Sequence, residues 1–399
     1  MKDNGYARLP AALQEALARC DVLAGDDQLE LFYNLYDPKT GGFYHTISSR
    51  DTERMTPFAE ATRFVLEALR EGGMTLPDWY KEKVGNWILN HQDEEDGFFY
   101  EDLWGKITKD SRLYRDLNYS QDILRSYCGI EPKYPLPTER IKENKETAKT
   151  VPDYLIDKDK LLAYMEGLDW SYKMIWRTGH ELTSSKQFMR AAGLYEVALD
   201  YIVSRQNRDT GLWGDGFGWM NTNGSMKLSG FFNEEHPYPN AEKMIESVKE
   251  IYGGKEPPTS ATWIWNPFVL LSHAIGTHKE DAEALRARLY EAGADIVNRA
   301  IDCALLMKRE DGGFSSSING AIGRVQGYLM GLGLKTESDI DGTLIAGMRL
   351  RNTIHEVFGV TPNKDYYAKF NDEFWERIKN KKPIEKKFPC PDEPMGPNR

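Results

Sequence analysis

Tyr36-Asp37-Pro38-Lys39-Thr40-Gly41-Gly42-Phe43 closes a helical run with a short polar turn, glycine and an aromatic ring, and the same punctuation returns three times. It recurs as Gln92-Asp93-Glu94-Glu95-Asp96-Gly97-Phe98, as Gln206-Asn207-Arg208-Asp209-Thr210-Gly211-Leu212-Trp213 and as Lys308-Arg309-Glu310-Asp311-Gly312-Gly313-Phe314. Glycine permits the left-handed backbone that ends a helix, Asp or Asn caps the turn, and the ring folds back onto the wall. Gly42, Gly97, Gly211 and Gly313 are spaced by 55, 114 and 102 residues, so the later gaps are about twice the first. A unit of roughly 50–57 residues with two degenerate members then gives six units, and that length suits two helices and two loops.

Between the marks the apolar spacing is helical. Phe58, Val65, Leu66 and Leu69 share one face over about 56–70, and Trp79, Val84, Trp87 and Ile88 share one over about 78–91. Further helices are expected at roughly 11–34 with a break near Gly25, and at 118–128, 159–178, 186–206, 239–252, 263–276, 280–308, 340–358 and 365–380. Strand-like alternation is scarce. The expected fold is all-α, a single (α/α)6 toroid or barrel of about six helical hairpins over 1–380, followed by a charged, Pro-containing tail at 381–399. Segments 207–236 and 312–338 show little periodicity and read as long loops of the kind that carry binding sites. Segment 131–158, rich in Lys, Glu, Pro and Thr, reads as an exposed excursion.

A chain of 399 residues that is 40% hydrophobic, 12% aromatic and 28% charged can bury a core, which excludes disorder. Lys+Arg of 51 against Asp+Glu of 62 gives a formal charge of −11, so the basic footprint that grips nucleic acid is missing. Cys20, Cys128, Cys303 and Cys390 are too dispersed for a zinc cluster or a disulfide framework, and a reducing, cytoplasmic setting is expected. No apolar run approaches the length of a membrane span, and Met1–Tyr6 lacks the apolar core of a leader; neither export nor a membrane span is expected.

The Gln-x4-Gly-aromatic and Asp-Gly-Gly-Phe elements resemble the repeats of the α/α-toroid superfamily that includes terpenoid cyclases and protein prenyltransferase β subunits. The stretch from Asp37 to His45 is also similar to the opening turns of (α/α)6-barrel enzymes acting on sugars, among them epimerases and unsaturated glycuronyl hydrolases. Ser338-Asp339-Ile340-Asp341-Gly342-Thr343-Leu344-Ile345-Ala346 is similar to the Asp-x-Asp-Asp-Thr-Ala helix of class II cyclases, whose middle Asp protonates an alkene. That resemblance implies the same role for Asp341, with Gly342 standing where the motif has its last Asp. The zinc set of the prenyltransferases needs a Cys two residues after an Asp, whereas Cys303 follows Asp302 directly. No metal and no other cofactor is expected.

In such a toroid the inner helices start at one mouth, where free N–H groups and partial positive charge favour an anionic group such as a carboxylate. Asp116, Glu234 and Asp339 stand beside expected helix starts and serve equally well as caps. Glu60 falls two positions after Phe58, off the apolar stripe, so exposure is expected unless its helix is an inner one. Arg115-Asp116-Leu117-Asn118-Tyr119 follows a loop carrying Trp104; an Arg, a carboxylate and a Tyr within one turn suit a uronate, or else form a surface pair with Tyr in the wall. Trp176 and His180 stand at helical spacing beside Trp170 and Arg177, and Phe231–Tyr238 gathers Glu235, His236 and Tyr238. Flat rings suit sugar faces, and His and Glu suit proton transfer. Trp213, Trp219, Trp263 and Trp265 extend the aromatic set.

Glycoside hydrolysis needs two carboxyls about 5–9.5 Å apart, one kept protonated by burial. Asp341 or Asp339 with Glu235 or Asp116 would supply them; elimination would draw on Arg115, Tyr119 and His180. The expected function is a carbohydrate-active enzyme, a glycoside hydrolase or lyase that cleaves an oligosaccharide by acid/base chemistry. The alternatives are an acid-initiated terpenoid cyclase with Asp341 as proton donor, and a non-catalytic toroid that binds a peptide or partner.

Overall fold

In the computed structural model, which describes residues 5–107, 111–144 and 152–390, the four glycine marks fold alike. Gly41, Gly97, Gly211 and Gly312 all take positive φ, between 67° and 95°. The loop mouth is closed each time by a backbone N–H: Asp37 to Gly42, Asp93 to Phe98, Asn207 to Leu212 and Arg309 to Gly313, all at 2.8–2.9 Å. Single antiparallel bridges join Tyr36 to Phe43, Gln92 to Phe99, Asn207 to Leu212 and Lys308 to Phe314. The rings of Phe43, Phe98, Trp213 and Phe314 are fully buried. In three of the four, the backbone N–H of the ring residue donates to a hydroxyl on a helical stretch further along the chain: Phe43 to Thr62, Trp213 to Ser225 and Phe314 to Thr343. The mark is thus a pinned hairpin loop, more than a helix stop.

Helix dominates, and the described residues contain one two-stranded ribbon, Arg324–Val325 with Tyr328–Leu329, inside the expected loop 312–338. The fold is all-α. Two compact units divide the chain, each assembled from three separated segments.

One unit comprises Val22–Leu136, Ala304–Arg349 and Asn363–Arg399. Its helices include Asp27–Leu35, Ala59–Glu71, Asp78–Leu89, Ser111–Asp122 and Asn371–Asn380. Tyr367 seats its ring where a Cβ on Gly72 would stand, 2.2 Å away, and its hydroxyl donates to Gln28 at 2.8 Å. Past the last helix the chain is a strap: the Lys381 ammonium donates to the carbonyls of Tyr33, Asn34 and Tyr36, and Phe388 bridges to Thr52. The expected tail beyond residue 390 lies outside the described residues, as does part of the expected 131–158 excursion.

The other unit comprises Met1–Asp21, Pro137–Cys303 and Leu350–Pro362. Here Ile175–Ala191 packs on Trp219–Ser229, which packs in turn on Ala261–Gly276. The first pair approach closely because Gly179 faces Gly224: a Cβ on Gly179 would stop 2.8 Å from the Gly224 carbonyl. Trp219–Ser229 corrects the expected 207–236 loop. Nearly every one of its residues is buried, so no apolar stripe marks it, and its polar side chains turn onto its own backbone. Thr222, Asn223 and Ser229 donate to the carbonyls of Trp219, Trp219 and Met226 at 2.7–2.8 Å. Two long runs are also broken, into Lys158–Glu166 and Ile175–Ala191 and into Ala282–Ala287 and Tyr290–Leu305.

Candidate functional site

Two helices of the first unit turn charged faces toward each other. Along Ala59–Glu71, Glu60, Phe64 and Glu67 follow the i, i+4, i+7 spacing that shares one face. Along Ser111–Asp122, Arg112, Arg115, Asp116 and Tyr119 do the same. Ile340–Gly342 and the wider turn Thr343–Arg349 behind it pack on the first of these helices and bring Asp341 and Arg349.

Glu60 is buried, against the exposure expected from its place off the apolar stripe. The reason is charge pairing: Arg112 and Arg115 each donate to one of its oxygens. Arg112, itself fully buried, turns the rest of its fork to Asp116. Arg115 also donates to the Tyr119 hydroxyl at 2.9 Å, and that hydroxyl reaches Glu60 at 3.4 Å. Arg349 lays a two-pronged bond on Glu67 at 2.6 and 2.7 Å, with its guanidinium 4.7 Å over the Phe64 ring. Phe64 meets Tyr119 edge to face at 5.5 Å, and Arg115 lies 5.5 Å over Tyr119. Trp104 closes one side, with the Arg112 guanidinium 5.7 Å from its ring and Phe58 and Tyr328 at 5.7 and 5.4 Å.

These contacts push the carboxyls apart in acidity. Burial, followed by the negative charge of Glu60, raises Asp341 to about 7 against the pull of His45 and Arg115. Burial pushes Glu60 the same way, but Arg112 and Arg115 overcome it and hold this carboxyl well below its usual range. Burial lifts Asp116 in spite of Arg112. Glu101 is lifted as well, by burial and then by Asp116; one of its oxygens accepts the Ala59 N–H at 2.7 Å, and the other has no partner among the described residues. Burial also raises Tyr119, so that phenol keeps its proton and suits donation better than abstraction. Asp341, Arg115, Tyr119, Trp104 and Arg349 retain partial exposure, whereas Glu60, Arg112, Asp116 and Glu101 are buried. The accessible acid thus stands before a sealed ionic layer.

Of the residues expected from sequence, this cluster unites Glu60, Trp104, Arg115, Asp116, Tyr119 and Asp341. The rest lie elsewhere. Asp339 is a cap: its carboxylate accepts from the backbone of Gly342, Ser316 and Ile322 and from the Ser316 hydroxyl. Glu235 is exposed in an Asn233-centred turn, and His236 pairs with Glu196 at 3.4 Å. Trp213, Trp219 and Tyr238 are buried wall residues whose polar atoms donate to the carbonyls of Ile202, Glu256 and Gly211. His180, buried in the other unit, stacks on Trp176 at 5.4 Å.

Sequence reasoning missed Arg112, Glu101, Glu67, Arg349 and His45. Arg112 stands four residues before Asp116, a helical ion-pair spacing that could have flagged it. His45 is buried, its Nε2 has no partner among the described residues, and it contributes electrostatically at Asp341 and Glu60. Among the described residues no group of three or more His, Cys, Asp or Glu side chains is placed to hold a metal ion, and no helix is long and apolar enough to cross a membrane. Searches of protein-family models, curated proteins and solved structures find nothing that matches this chain.

Proposed function

We propose that the chain is a carbohydrate-active enzyme built as an (α/α)6 toroid, in which Asp341 cleaves a glycosidic bond as general acid. The observation that carries this reading is a partly exposed Asp341 whose carboxyl is raised to about 7 by burial and by the negative charge of the buried, arginine-paired Glu60. In this scheme Asp341 gives its proton to the glycosidic oxygen as the C–O bond breaks, and the positive charge arising at the anomeric carbon is shared with the sugar ring oxygen. Water then adds to that carbon, and the Asp341 carboxylate takes the released proton back. Trp104 and Tyr119 offer flat faces to sugar rings. Hydrolysis is favoured over elimination, because burial keeps the Tyr119 phenol protonated and so withholds the phenolate that would act as base. The recurrent pinned turns support the toroid, and four free cysteines fit the cytoplasm.

The second reading, an acid-initiated cyclase, shares Asp341 and draws on the rings of Phe64, Trp104 and Tyr119. The partly exposed guanidiniums of Arg115 and Arg349 weigh against it, since an apolar substrate would desolvate them without offering an acceptor. A purely binding toroid is disfavoured by the strongly shifted acidities, which concentrate at chemical sites.

The test is release of reducing ends from a panel of neutral and acidic oligosaccharides. Asp341→Asn is expected to lower kcat by about 10²–10⁴, and wild-type activity should fall as pH rises through about 7, where Asp341 loses its proton. Turnover that survives Asp341→Asn removes the assignment.

A further inference from the structure

We propose that the substrate carries an anionic group next to the bond that is cleaved, and that Arg115 and Arg349 receive it. This rests on the reading of Asp341 as the acid. Each guanidinium is backed by a better-hidden carboxylate: Arg115 keeps 17% side-chain exposure over Glu60 at 1%, and Arg349 keeps 19% over Glu67 at 13%. The carboxylates fix the guanidiniums without covering them, so the accessible face is positive although the ion pairs balance. The two cations are held in one assembly, Arg349 over Phe64, Phe64 against Tyr119, and Tyr119 under Arg115. Asp341 acts electrostatically on both guanidiniums, so the acid and the two cations share one charged neighbourhood. On a chain with a net charge of −11, such a face opposes the average and selects locally.

The acid and the anion are linked. While Asp341 is neutral it does not compete for the guanidiniums; once ionised, it repels the incoming anion. The charged groups that act on Asp341 are Glu60, Arg115, His45 and its own neighbour Asp339, while Arg349 feels Asp341, Glu60, Tyr119 and Tyr127 and shares its partner Glu67 with Arg63. Anion affinity should therefore fall as pH rises through about 7. A bound anion, being a like charge, would in turn help Asp341 keep its proton.

A carboxylate on the sugar ring and a sulfate ester present the same chemistry, and the experiment separates them. Calorimetric titration of the full chain with glucuronate, glucose 6-sulfate and glucose at pH 6 and pH 8 should show at least one anionic sugar binding about tenfold or more tighter than glucose. That preference should weaken at pH 8 in the wild type, vanish in Arg349→Gln and persist in part in Arg349→Lys. Preference for glucuronate alone assigns the carboxylate, and preference for glucose 6-sulfate alone assigns the ester. If Arg349→Gln does not fold, a natively folded Arg349→Lys with unchanged discrimination still overturns the proposal. No measurable binding of either anionic sugar, or equal binding of glucose, also overturns it. Hydrolysis of a neutral oligosaccharide without anion preference removes the anion site and leaves the acid in place. Anion binding without turnover of any glycan keeps the site and removes the hydrolase.

Discussion

Asp341 binds its proton more tightly in the folded chain than in the unfolded one, and stability must register this. Its ordinary value of 3.8 rises to about 7 on folding, so its contribution is greatest below about pH 4, declines as pH climbs toward 7 and stays low above. Asp341→Asn abolishes that penalty. The variant is expected to melt higher than wild type at pH 8, by up to about 4 kcal/mol for a shift of this size, with the gain shrinking toward pH 4. Glu60→Ala should do the reverse, since Arg115 loses its carboxylate and Arg112 keeps only Asp116; a loss of about 3–5 kcal/mol in urea unfolding is expected at neutral pH. Carboxyl NMR on the same variant should find Asp341 titrating lower, because its strongest neighbouring charge is gone. Arg115, Asp116 and Tyr119 were legible as a group because they share one helical turn. The burial of Glu60 was not, because its stripe of apolar neighbours points one way while its partners lie more than fifty residues along the chain.

At the scale of elements, the glycine marks were the most readable feature, since left-handed backbone is chemically demanding. Gly211→Ala tests this: φ is +67°, and a Cβ would come within 2.5 Å of the Met244 backbone nitrogen and 2.6 Å of the Asn240 carbonyl. A loss of at least about 1–3 kcal/mol is expected, measured as a fall in the denaturant midpoint. Periodicity served the amphipathic helices, such as Ala59–Glu71, and failed on Trp219–Ser229, which is enclosed on all sides. For such a helix the informative residues are the small ones, Gly179 and Gly224, whose missing side chains let two backbones meet.

For the molecule as a whole, each unit draws on three separated segments, and no local pattern in the sequence announces that arrangement. Ending the chain after Pro362 would remove Tyr367, Trp375 and Lys381 from the unit that holds the acid, exposing Gly72, Gln28 and the end of Asp27–Leu35. Limited proteolysis should then cut within Val22–Leu136 at protease levels that leave the full chain intact. The interleaving also sets a timetable. As the polypeptide leaves the ribosome, the Glu60 salt bridges can assemble early, but Asp341 arrives only after most of the other unit has been made. A nascent chain can therefore hold its ionic scaffold of Glu60, Arg112 and Arg115 long before it holds the Asp341 carboxyl whose acidity that scaffold tunes.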